Sequence, residues 1–223
     1  MHTWNLSLDT DWRDAQFTVI DVETTGLDLE ADDIVSIGSV DIVHGWVDTS
    51  TSWYQLVRPR RIIHIEAIKT HGLTRELLAS APNIADVADA LRERLRLSVP
   101  VAHAAWIERA FVDRALAPMR CRMPRGLVDT AVLAQAAGMS SMAGYEPHLE
   151  SIAKALGLPV FTPHHALGDT MTTAILMITL ATQLESRQGS VSVAQLARMS
   201  RRGAFGSPGR GRAPFSGTPK SLS

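Results

Sequence analysis

Phe17-Thr-Val-Ile20 is an apolar, β-branched run that stops on a charge, and it predicts a short buried strand ending at Asp21. Ile34–Val43 and Trp46–Val57 repeat the strand pattern, with His44-Gly45 between them as a tight turn. The first third therefore reads as an antiparallel meander. Ile84, Val87, Ala88, Leu91 and Leu95 then fall on one helical stripe behind Pro82, predicting a helix over 83–97. Val99-Pro-Val-Ala102 predicts a short strand, followed by a helix from about Ala105 to Leu116. Leu127-Val-Asp-Thr130 begins another short element, Leu149–Leu156 is helical up to Gly157-Leu-Pro159, and a long helix spans about Leu167–Glu185. Strands first, then alternating strands and helices, indicate a layered α/β or α+β domain. No internal repeat interrupts this order.

Composition adds one division to that picture. The 223 residues carry a net charge of only −1, yet Gly189–Ser223 holds six basic residues and no acidic one, leaving a net −7 for the rest. Residues 201–220 are rich in Gly, Pro, Ser and Arg without apolar period, so this stretch reads as disordered. The expected organisation is a folded domain over 1–188 and a basic, mostly disordered tail over 189–223. The tail fits a phosphate-binding arm, a tether or a solubilising segment equally well. A single cysteine, Cys121, excludes an intramolecular disulfide and a thiolate zinc cluster, and is compatible with a reducing cytosol. No signal peptide is evident, and the longest apolar stretch, Ala174–Ala181, is far short of the roughly 20 residues of a membrane span. A soluble, cytoplasmic protein is expected.

Candidate chemistry begins at Asp21-Val-Glu23-Thr24-Thr25-Gly26. Residues two apart on a strand share a face, so the two carboxylates project together and repel unless a cation or proton intervenes. Such a pair beside a small-residue turn suits Mg²⁺ or Mn²⁺, which take oxygen ligands, and on its own it suits a solvated acidic turn equally. Glu108, one turn into its helix, and Asp169, early in the last helix, are two further acids at element ends. First-turn acids also favour the helix dipole. With His164 they make four carboxylates and a histidine, a set suited to two divalent cations and a base.

Three ordered segments, Asp21–Leu27, Val101–Phe111 and His164–Thr170, resemble the motifs of the DEDDh 3′→5′ exonucleases, the family of the proofreading epsilon subunit of DNA polymerase III. His71-Gly-Leu-Thr, Ser80-Ala-Pro-Asn and Leu127-Val-Asp-Thr fall between them in the family's order. The resemblance runs from about Phe17 to Leu184. It implies a ribonuclease H-like α/β fold, a mixed five-stranded sheet flanked by helices. It also implies a two-metal hydrolase that removes nucleoside monophosphates from the 3′ end of nucleic acid, single-stranded DNA favoured. Asp21 would then bridge two Mg²⁺ or Mn²⁺ ions, with Glu23 and Asp169 on one and Glu108 on the other. His164 would be the general base, a task suited to an imidazole with an ordinary pKa near 6.5. His165 shares Asp169's helix face but reads as a surface histidine. Thr24, Thr25, Gly26, Leu27, Glu66 and His71 would meet the terminal nucleotide. A proofreading role would require a separate polymerase subunit.

The second motif departs from the family. His-Asn-x-x-Phe-Asp is replaced by His103-Ala104-Ala105-Trp106-Ile107-Glu108, so the acid is one methylene longer. Mg²⁺ demands near-ideal octahedral geometry, and a misplacement of about 1 Å can cost roughly 10²-fold in rate. The competing expectation is therefore a weakened module that grips nucleic acid or a polymerase without efficient cleavage. A haloacid-dehalogenase-like phosphatase is excluded because position 23 is Glu rather than the second Asp of that motif.

Overall fold

A computed structural model of the chain describes residues 8–139 and 148–202. Five strands form one mixed sheet in the order β3-β2-β1-β4-β5. Strands β1 (Phe17–Thr24), β2 (Ile34–Val43) and β3 (Trp46–Leu56) make the expected antiparallel meander. His44 and Gly45 both adopt positive φ (52° and 74°), as a two-residue hairpin turn requires. Strands β4 (Val99–Ala102) and β5 (Val128–Asp129) add in parallel on the other side of β1. Strand β1 runs through the acids instead of ending before them, so Asp21 and Glu23 are held by ladder pairing to Gly38 and Ser36.

Strand alternation splits the core into two layers. Phe17 and Val19 point to one face with Val40, Ile42, Val99, Val101 and Val128, where they meet Leu176, Met177 and Leu180 of the 23-residue helix α6 (Ala166–Gln188). Ile20 and Val22 point to the opposite face, against Val87 and Leu91 of α2 (Ile84–Leu95) and Phe111 and Val112 of α3 (Trp106–Leu116). Asp21 and Glu23 continue the parity of Phe17 and Val19 and so project to the α6 side. The shorter helices are α1 (Ile65–His71), α4 (Thr130–Ala136) and α5 (Leu149–Ala155). No helix among the described residues is long and apolar enough to cross a membrane.

The expected boundary near Gly189 is corrected. Helix α7 (Val193–Arg202) belongs to the packed body, with Val191, Val193, Leu196 and Ala197 all buried. The Val191 carbonyl accepts from Trp12 N–H at 2.9 Å, and the Val193 and Ala194 N–H groups donate to Thr10 and Leu8. The apolar positions of the helix were hidden in the sequence by the basic residues on its other face. Residues 203–223, where disorder was expected, lie outside the described residues.

Candidate active site

Asp21, Glu23 and Asp169 each offer a carboxylate oxygen within 4.8 Å of the others, an arrangement that could hold a metal ion. Two come from β1 and the third from the first turn of α6. Gly38 explains how α6 comes so close. It pairs with Asp21 across the ladder, and a Cβ there would lie 2.3 Å from the Ala166 backbone. Gly168 does the same on the other side of the turn, where a Cβ would lie 2.4 Å from the Thr162 carbonyl. The α6 N-terminus thus sits directly on the strand that backs Asp21. Tyr54, the partner of Gly38 on β3, stacks on the His165 ring at 4.3 Å and props the helix start.

Glu108, on the first turn of α3, is buried, and its charge is the largest one acting on Asp21. Its helix is anchored by a residue whose role the sequence pattern does not reveal. Asp129, at the end of β5, accepts from the Ala105 N–H through one oxygen and caps α4 through the other, receiving the Ala131 and Val132 N–H groups. Ser200 of α7 in turn accepts from the Asp129 N–H at 2.9 Å. An Asp before an apolar helical run is a recognisable capping signal, but its reach to α3 is a tertiary contact that no local pattern contains. Ala104, where the family pattern has Asn, takes a left-handed φ of 56°.

The crowding of acids sets their protonation. Loss of solvent, then the charges of Glu108, Glu23 and Asp169, pushes Asp21 well above the carboxylate range. Burial, then Asp169, raises Glu23 to about 8. Asp169 rises to about 6 through burial, opposed by the N–H of His164, which donates to its Oδ2 at 2.9 Å. Carboxylates with such raised values favour their protonated forms more than free carboxylates do, and a hard cation among them would offset that repulsion.

The two candidate histidines part company. His164 sits just before α6 with φ 58°, its ring mostly exposed and its Nε2 3.8 Å from Glu150 Oε1 on α5. His165 is half-buried against Tyr54, so it is a packing residue and not the free surface histidine expected. Glu150 carried no signal in the sequence, because only the fold brings α5 to this loop.

Among the nucleotide-contact candidates, Leu27 is 63% exposed beside the acids' strand end, whereas Thr25 is buried and structural. Thr25 donates to Asp32 Oδ1 and accepts from Asp33 N–H, and a Cβ on Gly26 would meet Asp32 Oδ2 at 2.5 Å. Thr24 Oγ1 donates to the Gly26 carbonyl. His71 accepts from Leu73 N–H at Nδ1, so its Nε2–H donates to the Thr24 carbonyl and pins that backbone. Burial lowers its pKa, keeping the ring neutral. Glu66 stands apart, exposed on α1 and paired with Lys69 at 2.8 Å.

Similarity to known proteins agrees with this geometry. The exonuclease family model (RNase_T) matches residues 18–177, a span that includes every acid named above. The chain belongs to the exonuclease family. It is 34% identical over 171 residues to a PolC-type DNA polymerase III of Thermotoga petrophila, covering 76% of this chain and 12% of that one. It is 33% identical over 174 residues to a DNA polymerase III subunit epsilon-like protein of Rhodobacter capsulatus, covering 77% of this chain and 24% of the relative. The chain thus spans only a small part of these relatives. Among solved structures, exonuclease X in complex with 5′ overhanging duplex DNA superposes with a TM-score of 0.64 at 28% identity, covering 82% of this chain and 99% of that one. Escherichia coli exonuclease I with a dA16 oligonucleotide gives 0.64 at 15% identity over 78% of this chain and 41% of that one, a likeness of fold. The expected mixed five-stranded, ribonuclease H-like sheet is the one found.

Proposed function

We propose that this exonuclease is a metal-dependent 3′→5′ enzyme of the DEDDh type, releasing nucleoside monophosphates from a free 3′ end, with single-stranded DNA favoured. The observation that carries the reading is the convergence of Asp21, Glu23 and Asp169 within 4.8 Å, from two elements distant in sequence, with Glu108 buried alongside. An all-carboxylate donor set fits Mg²⁺ or Mn²⁺ and suits no softer metal as well. Asp21, Glu23, Asp169 and Glu108 would hold two such ions, and these would supply Lewis-acid activation of the attacking water and charge stabilisation for the leaving 3′-oxygen. His164 receives the water's proton from its exposed loop, and Glu150, 3.8 Å from its Nε2, stabilises the imidazolium that results. Leu27 and the Thr24–Gly26 backbone orient the terminal nucleotide. His71 acts through Thr24, fixing that backbone. Glu66 takes part only if substrate draws it from Lys69. Names of the relatives favour work alongside a DNA polymerase, as a separate subunit in the epsilon-like case, and a cytoplasmic setting.

Product identity and end-dependence test this reading. A linear oligonucleotide in Mg²⁺ or Mn²⁺ is expected to yield 5′-monophosphates, and blocking its 3′ terminus is expected to stop the reaction. Cleavage of circular single strands would contradict an exonuclease. Binding without any hydrolysis would favour the weakened module in its place.

A further inference from the structure

The exit from β3, Arg58-Pro59-Arg60-Arg61, has no part in the acid cluster, yet it is joined to the same loop. Asp33 Oδ2 accepts the backbone N–H groups of Arg60 and Arg61 at 2.8 and 3.0 Å, and the His64 N–H donates to the Thr25 carbonyl at 2.9 Å. These contacts use only main-chain donors, so both guanidiniums remain available and exposed. Two clefts flank the segment. One, of about 380 Å³, lies between Arg60, Arg61 and Arg114, with Glu30 and Asp33 on its wall. The other, of about 220 Å³, lies between Arg58 and Arg75 and has no acidic wall. Arg114 is fixed across the first cleft by its bond to the Leu29 carbonyl and its stacking over Phe111. None of these five arginines forms an ion pair among the described residues. The Asp33 carboxylate is already committed to two N–H donors. On a body that carries a net −4 through Arg202, five guanidiniums outside any ion pair, along two clefts that flank one segment, are a local reversal of sign.

We propose that Arg58, Arg60, Arg61, Arg75 and Arg114 form a phosphate track that grips the nucleic-acid chain outside the metal-binding acids. The proposal rests on the reading that the protein acts on nucleic acid and extends it to a substrate carrying several phosphates. Guanidinium forks suit phosphate oxygens, and the lining of the larger cleft is mainly polar, with no aromatic ring for a base to stack on in either. The track is part of the folded body, independent of the basic tail.

The test measures oligonucleotide binding to the full chain across a salt series in EDTA, where no cleavage occurs. Arg60→Ala/Arg61→Ala is expected to lower the slope of log affinity against log salt by about 1.4 on a single strand, roughly 0.7 for each phosphate no longer neutralised. On a 3′-recessed duplex lying in the same clefts the drop is expected to be roughly 1.8, at 0.9 for each phosphate. Arg60→Lys/Arg61→Lys, which keeps the charge, is expected to keep the slope. A p-nitrophenyl ester of thymidine monophosphate, carrying one phosphate, is expected to be hydrolysed equally by wild type and double variant. An unchanged slope on both nucleic acids overturns the track, as does a selective loss of ester hydrolysis in the alanine variant. Absence of ester hydrolysis in the wild type counts against the catalytic reading alone, since the salt slope is measured without metal.

Discussion

Glu108 is the residue on which this site differs most from the family pattern. The structure buries it against the charge of Asp21, the position the shorter family acid would serve. Glu108→Gln keeps shape and removes charge, so kcat in Mg²⁺ is expected to fall at least about 10²-fold with little change in the circular dichroism. Full activity would remove Glu108 from the metal-holding set. Ala104 explains another departure. At φ 56° an L-residue pays roughly 1–2 kcal/mol, and Asn tolerates this region better than Ala does. Ala104→Asn is therefore expected to raise the urea midpoint by an amount equivalent to about 0.5 kcal/mol, at unchanged m-value. A lowered midpoint would contradict that reason for Asn. The residue types of the site were legible in the sequence because acids and glycines mark it. The backbone angle that makes Asn suitable at 104 was not, since it depends on how β4 turns into α3.

Elements place these residues, and here the sequence told less. The meander, β4 and the long helix could be read from alternation and helical period. The closeness of α6 to β1 could not, because it follows from Gly38 lying opposite Asp21. Gly38→Ala must push the Ala166 backbone away. It is expected to cost about 3 kcal/mol, the upper end of overpacking, and to abolish tight metal binding by moving Asp169. Wild-type affinity for Mn²⁺ in that variant would show that α6 need not sit so near. Helix α7 was lost to sequence reading for a compositional reason, its arginines blending with the Gly- and Arg-rich residues beyond. It buries Val193 and Leu196 beside Val191 and backs Asp129 through Ser200. Each such side chain contributes about 1.5–3 kcal/mol, so losing all three approaches the whole net stability of a domain. A chain ending at Gln188 is expected to be unfolded or aggregated, while one ending at Arg202 keeps the wild-type melting temperature. Equal melting of both would return α7 to the tail.

Across the whole molecule, the acid cluster couples stability to pH and metal. Glu23 near 8, Asp169 near 6 and a raised Asp21 mean that the folded, metal-free protein binds more protons than the unfolded chain above the ordinary carboxylate range. Its stability is then greatest at low pH within this linkage and falls as pH rises through about 6 and about 8, where Asp169 and Glu23 give up their protons. A divalent cation bound among these acids would replace those protons, so the melting temperature in Mn²⁺ should exceed that in EDTA by more at pH 8 than at pH 5.5. A gap that is equal at the two pH values would contradict the protonated cluster. The same acids are asked to do the chemistry, and one measurement addresses that directly. A 5′-labelled oligonucleotide is incubated in Mg²⁺ with wild type and with Asp21→Asn, prepared identically. The account predicts a ladder of labelled products shortening from the 3′ end for wild type. It predicts none for Asp21→Asn or in EDTA, with oligonucleotide affinity within a few-fold. A wild type that leaves the strand intact, or an Asp21→Asn protein that produces the same ladder, would contradict it.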